Sequence, residues 1–101
     1  MSFQNAEIKK QANVYFDGKV TSRQIKTADG ESKTLGLMLP GSYHFNTDSE
    51  ELMELTQGDC KVKLDGSEEW KSYSGGESFT VPANSGFDIE VSELLDYICH
   101  F

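Results

Sequence analysis

Glu51 is the carboxylate whose setting suggests chemistry, because it shares a period-two register with Met53 and Leu55. Burying a charge among apolar neighbours is costly unless it is partnered, so an acid placed there points to a charge held for use. A second reading puts Glu51 at the start of its strand, solvated beside Asp48, Ser49 and Glu50, and alternation alone leaves both open. Metal chemistry fits the chain poorly. Iron, manganese or zinc would ask for two or three histidines beside the carboxylate. The chain has 2 histidines, His44 and His100, far apart in sequence, so no metal is expected. Its 2 cysteines, Cys60 and Cys99, each sit in an apolar-alternating segment and read as reduced, buried thiols. No nucleophile elbow, phosphate loop or dinucleotide fingerprint appears.

The elements that must position these groups are strands. Turn signals fall at Asp17-Gly18, Asp29-Gly30, Pro40-Gly41, Gly58-Asp59, Asp65-Gly66, Gly75-Gly76 and Ser85-Gly86. Between them apolar residues alternate. Leu35, Leu37 and Leu39 share one face, as do Tyr43, Phe45 and Thr47. Cys60, Val62 and Leu64 form another set, then Phe79 and Val81, then Phe87, Ile89 and Val91, and finally Tyr97, Cys99 and Phe101. A half-buried sheet turns such a set to the core, so each is expected inside. His44, between Tyr43 and Phe45, then faces out. Hairpins are predicted around Asp29-Gly30 and Asp65-Gly66. Residues 6–11 could form a helical turn, and the rest reads as a barrel or double-sheet jelly roll.

At 101 residues the chain supports one domain, and 37% hydrophobic residues suit a folded globule. A net charge of −8 argues against nucleic acid as partner. It leaves room for a small anionic substrate, since a pocket sets its own potential. The first residues lack the apolar core of a secretory signal, and no apolar run is long enough to span a membrane. A cytoplasmic protein is expected.

Residues 40–58, PGSYHFNTDSEELMELTQG, resemble the first cupin motif, with a turn glycine, a short strand, a glutamate at Glu51 and a closing glycine at Gly58. Residues 76–91, GESFTVPANSGFDIEV, resemble the second, with Phe87 where a metal histidine would fall. His44 and Asn46 could align with the metal positions of the first motif; alternation favours Phe45 and Thr47 there instead. The strings NVYFDGKV, TLGLMLPGSYHFNT, Glu51-Leu52-Met53 and the terminal YICHF, in this order, are similar to the pyrimidine/purine nucleoside phosphorylase family. The resemblance covers residues 13–101, and residues 1–12 read as a tail that could be poorly ordered.

That resemblance implies an all-β, cupin-type jelly-roll barrel, usually dimeric. It also implies a pentosyltransferase that uses phosphate to cleave purine and pyrimidine nucleosides to free base and ribose 1-phosphate, with no metal or other cofactor. Glu51 would then stabilise charge on the ribose or hold its hydroxyls. Tyr43, Phe45, Thr47, Tyr73, Phe87 and Tyr97 would meet the nucleoside through stacking or hydroxyl donors. Arg23, Lys33 and Lys19 are the phosphate candidates by family position. The alternative is a non-catalytic cupin that binds a small ligand.

Overall fold

The computed structural model describes residues 2–101, which form nine strands and one short 3-10 turn. In chain order these are β1 (Glu7–Ile8), β2 (Asn13–Tyr15), the turn Phe16–Gly18, β3 (Val20–Lys26), β4 (Ser32–Met38) and β5 (Gly41–Asn46). Then come β6 (Glu51–Leu64), β7 (Lys71–Ser74), β8 (Ser78–Val81) and β9 (Gly86–His100). All pairings are antiparallel. The all-β expectation holds.

Two long strands organise everything else. β6 and β9 pair along most of their length, from Leu52 opposite His100 to Leu64 opposite Phe87. The register slips between Leu55 and Cys60, and such irregularities bend a strand and sharpen its twist. Gly58 sits in this bend at φ 104°, and a Cβ there would lie 2.3 Å from the Leu94 carbonyl oxygen. Only glycine lets the strands come this close. On one side of the bend, β4 pairs onto residues 95–100 of β9 and carries β3 on its other edge, and β8 pairs onto residues 51–54 of β6. On the other, β5 pairs with residues 86–91 of β9 and β7 with residues 59–62 of β6. The two leaves fold over a core in which Val20, Met38, Leu55, Val81, Phe87, Ile89 and Leu95 are all but inaccessible.

The jelly-roll barrel is not what forms. The hydrogen-bonded path runs β1-β3-β4-β9-β6-β7 and does not return on itself; β2, β5 and β8 are side branches on β3, β9 and β6. The physical reason lies at Phe16–Gly18. Phe16 (φ 51°) and Asp17 (φ 55°) are left-handed, so the chain leaving β2 turns back into β3 rather than running on beside β5. Side chains span the gap: the Phe16 ring lies 5.0 Å from Tyr43 and 5.6 Å from Phe45, centroid to centroid. The sheet stays open.

Two local expectations also change. Within residues 6–11, Glu7 and Ile8 pair with Lys26 and Ile25 as a strand where a helical turn was expected, so the first dozen residues include part of the sheet. Leu35, Leu37 and Leu39 face solvent, at 36%, 42% and 45% exposure, while Thr34, Gly36 and Met38 turn inward. The other alternating sets point inward as read, except that terminal Phe101 is exposed.

Candidate functional site

A cavity of about 280 Å³ opens where the sheet fails to close. Its polar lining follows a row across five strands. Asn13 on β2 pairs with Ser22 on β3, and their side chains are hydrogen-bonded at 3.3 Å. Thr34 on β4 stands opposite Cys99 on β9, and Cys99 stands opposite Met53, two residues beyond Glu51 on β6. Because side chains alternate, Glu51, Met53 and Leu55 share the inner face and Glu54 the outer one. Phe45, Phe87, Tyr97 and Tyr15 supply aromatic wall, with Met38 and Met53 beside them. Phe45 and Phe87 stack 5.6 Å apart at 31°.

Glu51 is half-buried and lines this cavity. Burial raises its pKa above the ordinary carboxylate value, and nearby Asp48 adds to the rise. A hydrogen bond from the Cys99 thiol works the other way, steadying the carboxylate. Burial, with the Glu51 charge next in size, pushes the Cys99 thiol up to about 12. It therefore stays protonated and remains a donor. Burial likewise raises the Tyr97 phenol, whose Oη donates to the Thr21 carbonyl at 3.3 Å. Asn46 reaches the cavity from β5.

The expected site residues separate into two groups. Glu51, Phe45, Phe87 and Tyr97 come together around one cavity. Tyr43 and Thr47 point inward but do not line it, and their hydroxyls bond to backbone: Tyr43 Oη donates to the Leu39 carbonyl at 2.6 Å, and Thr47 Oγ1 donates to the Pro82 carbonyl at 2.6 Å while accepting from Ser85 N–H. Tyr73 stacks on Phe79 around a different, smaller hollow.

None of the three expected phosphate cations lines the cavity. Arg23 is exposed on the face of β3 opposite Ser22, and exposed Lys19 stands just before that strand. Lys33 lies on the outer face of the sheet, buried in an ionic chain. Its Nζ contacts Glu31 at 3.0 Å and His100 Nδ1 at 2.7 Å, and His100 Nε2 contacts Glu54 at 2.8 Å. An ammonium can only donate, so Nδ1 accepts and the ring proton sits on Nε2, toward Glu54. Asn13, Tyr15, Ser22, Thr34 and Cys99 were not singled out as site residues. Only their place on the strands, opposite residues already inside, could have found them.

Among the described residues no three potential ligands cluster as a metal site would require. His44, on the outside of β5, bonds Asp88 at 2.8 Å and Asn46 at 3.1 Å. Phe87, which takes the position of the second-motif histidine, is 1% exposed and packs in the wall.

The sequence profile of the pyrimidine/purine nucleoside phosphorylase family matches residues 10–101. The chain belongs to this family. It is thereby a nucleoside phosphorylase, a pentosyltransferase acting on purine and pyrimidine nucleosides. The pyrimidine/purine nucleoside phosphorylase of Methylobacillus flagellatus is 56% identical over 99 residues, covering 98% of this chain and 96% of that protein. Among solved structures, a protein of unknown function from an Acinetobacter species superposes with a TM-score of 0.96 at 42% identity, covering 99% of this chain and 97% of that one. A cupin-superfamily protein from Desulfitobacterium hafniense shares the fold, with a TM-score of 0.66 at 15% identity over 88% of this chain and 79% of its own. Among the described residues no helix is long and apolar enough to cross a membrane.

Proposed function

We propose that the cavity around Glu51 is where this phosphorylase cleaves its nucleoside. The observation that carries the reading is a carboxylate with a raised pKa facing a hollow walled by aromatic rings and lined by neutral donors. In phosphorolysis the bond from C1′ to the base nitrogen breaks, its electron pair leaves with the base, and a phosphate oxygen bonds C1′. Positive charge builds on the ribose between these events, as in other glycosyl transfers. The Glu51 carboxylate faces that charge and accepts hydrogen bonds from ribose hydroxyls, an interaction that strengthens toward the transition state. The partly buried Phe45 ring, backed by Phe87, offers a π-face, which suits purines and pyrimidines alike.

Phosphate binding falls to neutral groups in this reading. Asn13, Ser22 and Thr34 present amide and hydroxyl donors along one wall, and donors aimed at phosphate oxygens serve without a cation when water is held off. A homodimer is supported by the exposed apolar stripe of Leu35, Leu37 and Leu52 and by unpaired strand edges. The free thiols of Cys60 and Cys99 suit a reducing cytoplasm.

The direct test incubates uridine and inosine with the protein, with and without phosphate, and follows free base. Release should require phosphate and collapse in Glu51→Gln. Undiminished release from that variant would place the chemistry elsewhere.

A further inference from the structure

Phe16 has a use that its position in the fold does not need. It is one of two consecutive non-glycine residues held left-handed, Phe16 at φ 51° and Asp17 at φ 55°, followed by Gly18 at φ 88°. A bulky residue at positive φ is strained, and such strain persists only where the surroundings fix it. Two anchors fix it here. The Lys19 N–H donates to the Phe16 carbonyl at 3.1 Å, and Tyr15 pairs with Val20. The result turns the Phe16 ring onto Tyr43 at 5.0 Å and onto Phe45, edge to face, at 5.6 Å. Its neighbour Tyr15 meanwhile lines the cavity.

Phe45 is only partly buried, and its ring has Phe87 on one contact and Phe16 on another. Among the described residues β5 has no hydrogen-bonded strand partner other than β9, so no neighbouring strand supports the wall on its free side. Phe16, itself 44% exposed, supplies that support. We infer that Phe16 is a positioning residue for nucleoside binding, holding the Phe45 ring in place as a platform for the base while the same strained turn holds Tyr15 at the cavity. The inference rests on the reading of this cavity as the nucleoside site. It adds a residue that touches no substrate and acts through one that does.

Phe16→Gly separates the ring from the backbone, because glycine adopts φ near +50° without strain. Relief of the strained backbone and loss of the ring's packing oppose each other, so the melting temperature should change little, while KM for both uridine and inosine should rise about fivefold, the size expected for loss of the Phe16–Phe45 pair, with kcat within about twofold. Phe16→Tyr should restore KM, since the ring is retained. Asp17→Gly, in the same turn but without a ring on Phe45, should leave KM unchanged. Phe45→Ala is the site control and should raise KM further. If Phe45→Ala raises KM while Phe16→Gly does not, the positioning role is wrong and the site stands. If neither changes KM, the cavity is not the nucleoside site and both readings fall. If KM rises only in step with lost stability, or Phe16→Tyr fails to restore it, the role is structural and the inference is overturned.

Discussion

The ring of Tyr97 occupies the space where a side chain on Gly36 would stand. A Cβ built at Gly36 comes within 2.5 Å of Tyr97 Cζ and Oη and within 2.3 Å of the Thr21 carbonyl oxygen. Tyr97 and Gly36 are directly paired across β9 and β4, and the phenol uses the gap to reach Thr21. The absent side chain on β4 is thus what lets the Tyr97 ring cross over β4 while it lines the cavity.

Gly36→Ala should therefore be costly in two ways. One obstacle is backbone and cannot swing aside, so overpacking of about 1–3 kcal/mol is expected. Chemical denaturation would read it as a lower midpoint with an unchanged slope. KM for nucleoside should rise as well, because Tyr97 lines the site. A variant of wild-type stability would mean that β4 shifts more freely than this close contact allows.

The Glu51–Cys99 contact predicts a ranking. Cys99→Ser keeps an O–H donor for the carboxylate, whereas Cys99→Ala removes it. A hydrogen bond to a charged group of this kind corresponds to about tenfold in kcat/KM, so Ala should fall about that far and Ser much less. The same burial that holds the thiols near pKa values of about 11 for Cys60 and about 12 for Cys99 should make both slow to alkylate in native protein at pH 8 and fast after denaturation. Equal kcat/KM for the two variants would show that the thiol does not position Glu51.

The sequence shows which residues alternate but not which side of a strand meets the core. For β5, β6, β8 and β9 the apolar set is the inner set, so Phe45, Met53, Phe79 and Phe87 were legible. On β4 the rule inverts. Leu35 and Leu37 face outward because Thr34 and Met38 line the cavity and Gly36 makes room for Tyr97, and a polar cavity wall has the pattern of a solvent face. Asn13 and Ser22 were hidden for the same reason. Arg23 and Lys33 are phosphate candidates by family position, and alternation from Ser22 and Thr34 puts both on the outer face, away from this cavity. The open edge was illegible too: Asp17-Gly18 reads as a turn, but nothing in the sequence shows that bulky Phe16, a residue type that seldom does so, is left-handed as well.

His44 predicts a pH dependence of stability on the outside of the fold. Its hydrogen bond to Asp88, with a smaller contribution from Asn46, raises its pKa above the ordinary histidine value, and the same bond lowers that of Asp88. A raised histidine contributes stability fully below about pH 6.5, and that contribution fades as pH climbs through the folded value. The Asp88 contribution has the opposite sense, being lost only in acid as pH falls through its depressed value. Between about pH 6 and 8 the histidine governs, so wild-type melting temperature should fall more than that of His44→Gln over this range. Parallel curves would show that the pair is too well solvated to matter.

Glu51→Gln set against Glu54→Gln tests the site most sharply, because the two acids lie on one strand and face opposite ways. Glutamine keeps the shape of glutamate and removes the charge. At position 51 that removes an interaction that strengthens as the ribose becomes cationic, so turnover on uridine and inosine at saturating phosphate should fall by on the order of 10²-fold or more. Stability should move the other way. The folded pKa of Glu51 is raised by burial, so the charged form costs folding free energy once pH rises above the unfolded value of 4.5. Glu51→Gln should thus melt at or above the wild-type temperature at neutral pH and lose that advantage in acid. At position 54 the amide oxygen can still accept the His100 Nε2 proton, so the ionic chain to Lys33 is weakened without being broken. Glu54→Gln should leave turnover within about twofold and lower the melting temperature slightly, as expected for a partly exposed ionic contact. Small, equal effects on turnover from both substitutions would remove Glu51 from the chemistry and the cavity with it.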